Sequence, residues 1–145
     1  MRVDFYRLSR DPAPAAVAML ARKVVEAGER LLVVAEDEEL RAQISQDLWE
    51  ASGEAFLANG LAGGAHDARQ PILIADTVEA TNGATFLILA DGEWRDPGEG
   101  FTRTMLLFDD STIEAARRQW KALAEVEGTE RHFWKQEGGR WVEGP

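Results

Sequence analysis

Two spacing patterns of apolar and polar positions alternate along the chain. Short runs rich in apolar residues predict strands buried on both faces of a sheet. They lie at residues 3–8, 31–35, 71–74, 86–90 and 105–108, with a further short strand predicted at 56–57. Between them, apolar residues spaced three and four apart predict helices at residues 12–27, 36–49 and 111–127.

This alternation predicts a single three-layer α/β/α domain over residues 1–145, with a mostly parallel sheet and a Rossmann-like arrangement. The C-terminal tail, residues 129–145, is expected to pack on that domain. The first strand, the first helix and the second strand predict a right-handed crossover between two parallel strands that pair with each other.

Helix boundaries are indicated by residues with special backbone or capping preferences. Pro12 and Pro14 suit the first turn of the first helix, and Gly28 is placed to end it in a left-handed conformation. Ser111 together with Glu114 matches a capping box, which predicts the start of the last helix.

The composition of the chain mainly excludes classes of function. The 145 residues carry a formal net charge of -10, which disfavours direct DNA binding. The chain has no cysteine, which excludes disulfides and thiolate catalysis, and its two histidines are too few for a histidine metal site. The N-terminus has no apolar signal region and no run is long enough for a membrane span, so a cytoplasmic protein is expected.

Motifs for nucleotide binding or catalysis are weak. The first strand-to-helix turn, residues 9–12, lacks a dinucleotide glycine fingerprint, and no phosphate-loop sequence occurs. The glycine-rich stretch 60–64 belongs to an expected loop over residues 60–69. The acidic run 36–39 fits a metal site or, as we prefer, a solvated helix N-terminus. The residues alone leave two alternatives open: a binding module, or a small α/β enzyme that binds a nucleotide or phosphate at the carboxyl ends of its strands.

The last predicted helix carries the strongest candidate for a binding site. Its apolar spacing places Trp120 on the buried face, where Arg117 and Lys121 flank it. Trp120 is either a core residue beside solvated cations or the half-buried floor of a pocket for an acidic, aromatic partner. An arginine suits such a partner because its fork donates two parallel hydrogen bonds to a carboxylate. In the tail, Trp134 is expected to close the core edge and Trp141 to be a surface anchor.

A series of short motifs carries a resemblance to a known family. They are Asp4-Phe5-Tyr6, the segment from Phe56-Leu57 to Leu61-Ala62-Gly63, Asn82-Gly83-Ala84, Ala116-Arg117 with Trp120-Lys121, and Phe133-Trp134-Lys135-Gln136 followed by Gly139-Arg140-Trp141. Their order and spacing resemble the chi subunit of bacterial DNA polymerase III, an accessory protein of the clamp-loader complex. The resemblance implies a non-catalytic subunit of a DNA-directed DNA polymerase (nucleotidyltransferase) complex in DNA replication, without a cofactor or metal of its own.

The resemblance also implies that the chain binds the acidic C-terminal tail of single-stranded-DNA-binding protein, which ends in phenylalanine. Arg117, Trp120 and Lys121 match the family's tail-binding helix positions, and Leu106 falls on a strand position that lines the same pocket. Gln119 stands where some relatives have arginine.

The second implied partner is the psi subunit, which links chi to the clamp loader. Trp49 and Phe56 match aromatic positions used for psi and for helicase-type partners, whereas Ala58-Asn59 stands where many members have Pro-His. The two aromatics either form an exposed hot spot at the domain edge or close the core beneath the 60–69 loop. We expect at least one of them to be partly exposed.

Overall fold

A computed structural model describes residues 1–51 and 57–144. The strands are β1 (Arg2–Arg7), β2 (Leu31–Val34), β3 (Asn59–Leu61), β4 (Ile72–Ala75), β5 (Phe86–Leu89), β6 (Arg103–Phe108), β7 (Glu130–Glu137) and β8 (Arg140–Glu143). The helices are α1 (Ala13–Glu26), α2 (Glu38–Glu50) and α3 (Ile113–Ala124). The three predicted helices and the five longer predicted strands are confirmed, with ends that differ from the predictions by at most three residues.

All the strands belong to one sheet, in the order β3-β4-β2-β5-β6-β1-β7-β8. Every described pairing is parallel except that of β7 with β8, so the prediction of a mostly parallel sheet is confirmed. The predicted pairing of the first two strands is wrong, since β1 pairs with β6 and β7. The crossover through α1 spans several strand positions, and β5 and β6 enter later to fill the space between β1 and β2.

The helices lie on both faces of the sheet, which confirms the three-layer architecture. Successive residues of a strand point to opposite faces, so each strand supplies both sides of the core. On one face, Leu107 packs with residues of α1 and α2 such as Val17 and Ile44. On the other face, Leu106 packs with α3 residues such as Ala116.

The ends of α1 and α2 follow the sequence signals. Pro12 precedes α1, and Gly28 follows its end with a φ angle of 78°. Asp37 caps α2, because its carboxylate accepts a hydrogen bond from the backbone N–H of Glu39 at 3.2 Å. The acidic run 36–39 therefore lies at a helix N-terminus. Within residues 1–51 and 57–144, no group of three or more histidine, aspartate or glutamate side chains could hold a metal ion.

The start of α3 differs from the predicted capping box. Thr112 precedes the helix, and its hydroxyl accepts a hydrogen bond from the backbone N–H of Asp109 at 3.0 Å. The Ser111 hydroxyl instead donates to the Asp109 carboxylate at 2.6 Å. Asp109 forms a local turn with the residues that follow it, and this turn competes with the helix for the Ser111 side chain.

The segment before β4 also differs from its prediction. Phe56 lies outside the described residues, and Leu57 is not in a strand. The strand at this edge is Asn59–Leu61. The Asn59 side chain fixes its position, because it accepts a hydrogen bond from the Ser45 hydroxyl at 2.6 Å and donates one to the Leu57 carbonyl at 2.9 Å. The predicted 60–69 loop therefore begins inside β3, and it ends in a short 3-10 helix, Asp67–Arg69.

The C-terminal residues form a hairpin that extends the sheet beyond β1. Trp134 on β7 packs at the core edge, as predicted: its ring stacks on Tyr6 at 5.9 Å and its indole N–H donates to Asp4 at 2.9 Å. The prediction of Trp141 as a surface anchor is wrong. Strand β8 turns back along β7 and brings Trp141 edge-on to Tyr6, at 5.1 Å, where it is half-buried.

A pH-dependent contact closes this hairpin. His132 on β7 contacts Glu130 at 2.8 Å through one ring nitrogen and Glu143 on β8 through the other. Only the protonated ring can donate from both nitrogens, and these hydrogen bonds raise the pKa of His132 above its ordinary value of 6.5.

We expect this contact to make stability depend on pH. Because the folded pKa is raised, the contribution is complete below pH 6.5 and is lost as pH rises through the folded pKa. The thermal midpoint should therefore decrease as the pH is raised above 6.5, through the raised pKa of His132. His132→Gln should reduce this dependence of the thermal midpoint on pH. His66→Gln, the same change at the exposed second histidine, should leave it intact. Equal slopes for the two variants would contradict the assignment.

Candidate functional site

A groove with a volume of about 240 Å³ opens beside α3, on the face opposite α1 and α2. Its walls come from β1, β6, β7 and α3, which the sheet order brings together. We call it the α3 groove. It is lined by Phe5, Arg7, Phe108, Ile113, Ala116, Arg117, Trp120 and Phe133.

The floor of the α3 groove is built from aromatic rings in edge contact. The Phe5 ring meets Trp120 at 5.1 Å and 84°, and meets Phe108 at 6.3 Å and 68°. Phe133 continues the surface at 6.4 Å from Phe108. Phe5 and Phe108 are buried, whereas Trp120 and Phe133 are half-buried and face the opening. The groove thus offers an apolar bed for one further ring.

Trp120 is both a core residue and a wall of the groove, so the two interpretations of its position are compatible. It packs on the buried cluster of the α3 face. The Arg131 guanidinium lies 4.4 Å from the centre of its ring and donates a hydrogen bond to its backbone carbonyl at 2.8 Å. The cation–π contact and the hydrogen bond together hold the indole in place.

Two arginines stand at the rim of the α3 groove. Arg117 contacts Glu114 at 3.1 Å, and Arg7 contacts Asp110 at 3.1 Å. Both partner carboxylates are on exposed side chains, and exposed ion pairs contribute only about 0–1 kcal/mol. Either arginine can therefore exchange its partner for a carboxylate of a ligand at little cost.

The other two residues expected at this site lie off the groove wall. Lys121 is exposed on α3 and is not among the lining residues. Leu106 is fully buried on β6, beside Phe5 in the same core cluster. Of the four expected residues, the structure brings Arg117 and Trp120 together in the groove.

Sequence reasoning missed Arg7, Phe108, Phe133 and Arg131 as parts of this site. Phe5 is level with Leu106 on one side and with Phe133 on the other. That register depends on β1 lying between β6 and β7, which the sequence pattern does not specify. The arrangement could have been found only by predicting the tail as a strand parallel to β1.

A second exposed surface lies at the opposite edge of the sheet. Trp49, near the end of α2, has 49% of its surface exposed, and Leu61 on β3 has the same exposed fraction. The expectation that Trp49 or Phe56 is partly exposed is met by Trp49. Phe56 lies outside the described residues.

The carboxyl ends of the parallel strands form a crevice, which is where α/β sheets of this kind bind nucleotides. Here β1 leads to α1 on one face and its neighbour β6 leads to α3 on the other. The cavity, about 390 Å³, has three carboxylates in its lining, Asp11, Asp91 and Asp109, and no lysine or arginine is among its described lining residues. Asp91 is paired with Arg95 at 2.8 Å, so Asp11 and Asp109 carry the negative charge of this lining, which disfavours phosphate groups.

These features define an α/β domain with a ring-sized groove on one face and an exposed aromatic surface at a distant edge. The chain belongs to the family described as DNA polymerase III chi subunit, HolC, whose model matches residues 1–130. It is thus a chi-family subunit of DNA polymerase III, with a role in DNA replication. A search of curated proteins finds no match to this chain. Among the described residues, no helix has the length and apolar character that crossing a membrane requires.

Proposed function

We propose that this chain is an accessory subunit that binds the acidic C-terminal tail of single-stranded-DNA-binding protein in the α3 groove. Through a second surface around Trp49 it joins a psi subunit, which links it to the clamp loader in the cytoplasm. The observation that carries the proposal is the α3 groove itself. Aromatic rings floor it and two loosely paired arginines rim it, on a chain with a net charge of -10.

The chemistry of such a tail matches the groove. Its terminal phenylalanine offers a ring to Trp120 and Phe133, and its α-carboxylate offers two acceptors to Arg117. Acidic residues before the phenylalanine can then pair with Arg7, the other arginine of the groove lining. The acidic remainder of the chain repels the tail at long range, so the two arginines must act locally.

The expected affinity is moderate. Burying one phenylalanine ring contributes roughly 2 kcal/mol, and a charge-assisted hydrogen bond contributes about 1.5–3 kcal/mol. Several such contacts, less the cost of ordering a flexible tail, lead to a dissociation constant of roughly micromolar size.

Arg117→Ala is expected to weaken binding of a synthetic tail peptide by at least about tenfold, because it removes a charge-assisted contact to the α-carboxylate. Arg118→Ala is the matched control, since Arg118 is the next residue of α3, is exposed and does not line the groove. Calorimetric titration of both variants measures the difference.

The same titration carries further tests. Binding to the wild-type chain should weaken as salt is added, because the rim arginines are exposed. For a peptide amidated at its C-terminus, which has no α-carboxylate, the affinities of the wild-type chain and of Arg117→Ala should be nearly the same. Equal affinities for Arg117→Ala and Arg118→Ala, with both variants folded, would contradict the proposed pocket.

The proposed role requires no chemistry from this chain. The acidic lining of the crevice at the carboxyl ends of the strands argues against the alternative of a nucleotide- or phosphate-binding enzyme acting there. A helicase-type partner is a further occupant of the surface around Trp49, in competition with psi. Neither partner requires the chain to contact DNA directly.

A further inference from the structure

A second cavity, about 360 Å³ in volume, opens on the face opposite the α3 groove, between the C-terminal half of α1 and the sheet. We call it the α1 pocket. Nothing in the function proposed above uses it. It is lined by cationic and aromatic side chains (Arg2, Lys23, Arg103, Tyr6, Phe86, Trp134 and Trp141) and by the apolar Leu20, Val24, Ala27 and Met105.

Asp4 holds the two arginines at the cationic end of the α1 pocket, and all the acceptor sites of its carboxylate are used. Its fully buried carboxylate accepts two hydrogen bonds from Arg2, at 3.1 and 3.2 Å, and one from Arg103 at 2.7 Å. The Trp134 indole supplies a fourth at 2.9 Å. A carboxylate has about four acceptor sites, so Asp4 has no capacity for further donors.

The remaining donors around the α1 pocket lack acceptors among the residues that the structure describes. Arg2 and Arg103 each keep N–H groups that no described residue accepts, and Lys23 has no ion-pair partner in the described part of the chain. The Tyr6 hydroxyl accepts from Arg103 at 2.5 Å, but its own proton has no acceptor there. Burial raises the pKa of Tyr6 to about 12, so the hydroxyl stays protonated at neutral pH.

The charge of the pocket complements this donor excess. Three cationic side chains meet the buried Asp4 carboxylate, and Glu130 also lies near Arg2, which leaves a surplus of one positive charge on an otherwise acidic chain. His132 contacts both Glu130 and Glu143, so it does not cancel the Glu130 charge. A phosphate monoester carries about -1.5 to -2 charges and three terminal oxygens, and so matches the number of free donors better than a carboxylate with two oxygens.

The rest of the pocket wall suits a flat apolar body. Trp134 and Trp141 contact Tyr6 on one side, and Leu20 and Val24 face them from α1. Trp141 also has a buried indole N–H without a partner among the described residues, which adds a donor at this wall. Aromatic side chains stack on the face of any nucleobase.

We propose that the α1 pocket binds a phosphate monoester whose sugar also carries a flat ring, of the class of a nucleoside 5′-monophosphate, and that it does so without catalysing a reaction of this ligand. The phosphate lies among Arg2, Lys23 and Arg103, and the base lies along Trp134 and Trp141. This site is on the sheet face away from the α3 groove and is independent of the tail-binding proposal.

Calorimetric titration of the full chain with adenosine 5′-monophosphate, adenosine and inorganic phosphate tests the assignment. The monophosphate should bind at least about tenfold more tightly than either of the other two, because each of them lacks one half of the contacts. Adenosine binding as tightly would overturn the phosphate site, and inorganic phosphate binding as tightly would overturn the ring site. A tighter complex with phosphotyrosine would assign the pocket to a phosphopeptide and overturn the nucleotide assignment.

A matched pair of variants locates the site. Lys23→Gln should weaken monophosphate binding at least about fivefold, because it removes an exposed cation that has no ion-pair partner within residues 1–51 and 57–144. Lys135→Gln makes the same chemical change outside both cavities and should leave the affinity unchanged. Equal effects of the two variants would overturn the proposal.

Indole N–H resonances give a second readout that does not depend on any variant folding. Adenosine 5′-monophosphate should shift the signals of Trp134 and Trp141, while the tail peptide should shift that of Trp120. A monophosphate that shifts only Trp120 would place the nucleotide in the α3 groove and overturn the α1 pocket. If one of the two ligands does not bind, the test with the other is unaffected, so the two proposals can fail separately.

Discussion

Replacing Asp4 by asparagine is expected to lower the free energy of unfolding by about 3 kcal/mol, because the donors around this buried position lose their charged acceptor. Asp4 is fully buried and joins three strands: Arg2 and Asp4 itself on β1, Arg103 on β6, and Trp134 on β7. An asparagine has one acceptor oxygen where Asp4 has two, and it places an amide donor against the cations.

Urea unfolding of the two forms measures this loss, and Asp110→Asn is its matched control. Asp110 contacts Arg7 at a similar distance, 3.1 Å, but its side chain is 88% exposed. The control should therefore change stability by less than about 1 kcal/mol. If Asp4→Asn is as mild as Asp110→Asn, the buried carboxylate does not hold the strands together and the arginines are solvated without it.

The parallel centre of the sheet could be predicted because its strands are buried on both faces. Such strands are continuous apolar runs, as in Leu31–Val34 and Ile72–Ala75, and they are readable without knowledge of their neighbours. Helix ends were readable where one residue type suits the backbone, as at Pro12 and Gly28. At Ser111 the local turn formed by Asp109 outweighed the capping pattern.

The edges of the sheet could not be predicted for the opposite reason. Strand β7, Glu130–Glu137, is half-buried along most of its length, so polar and apolar residues mix without a period. Strand β3 has three residues, and hydrogen bonds of Asn59 rather than apolar burial hold it. The order of the strands could not be predicted either. A crossover helix determines that two strands are parallel and that their connection is right-handed, but not how many later strands lie between them.

The candidate site was predictable only as far as it lies on one helix. Arg117 and Trp120 are on neighbouring turns of α3, so their proximity follows from helical spacing. Phe5 and Phe133 reach the same groove from strands far apart in sequence, and Arg131 meets Trp120 because β7 begins beside α3. These contacts depend on the strand order and register.

Trp49→Ala is expected to weaken capture of a psi subunit by at least about 30-fold, since a central exposed tryptophan at an interface contributes about 2 kcal/mol or more. Trp49 projects from α2 with 49% of its surface exposed, near the β3 edge where Leu61 is also exposed. Phe56→Ala should likewise abolish capture of psi or of a helicase-type partner. Calorimetry or co-purification with psi measures the loss.

Both variants should bind the synthetic tail peptide with near wild-type affinity, because Trp49 is on the α2 face and the α3 groove lies on the other. Val126→Ala is the matched control: Val126 is just as exposed, at 49%, but follows α3 and is distant in sequence from the Trp49 surface. It should leave psi capture unchanged. If Phe56→Ala unfolds the chain or abolishes both binding activities together, Phe56 is part of the core and the two-surface hypothesis is wrong.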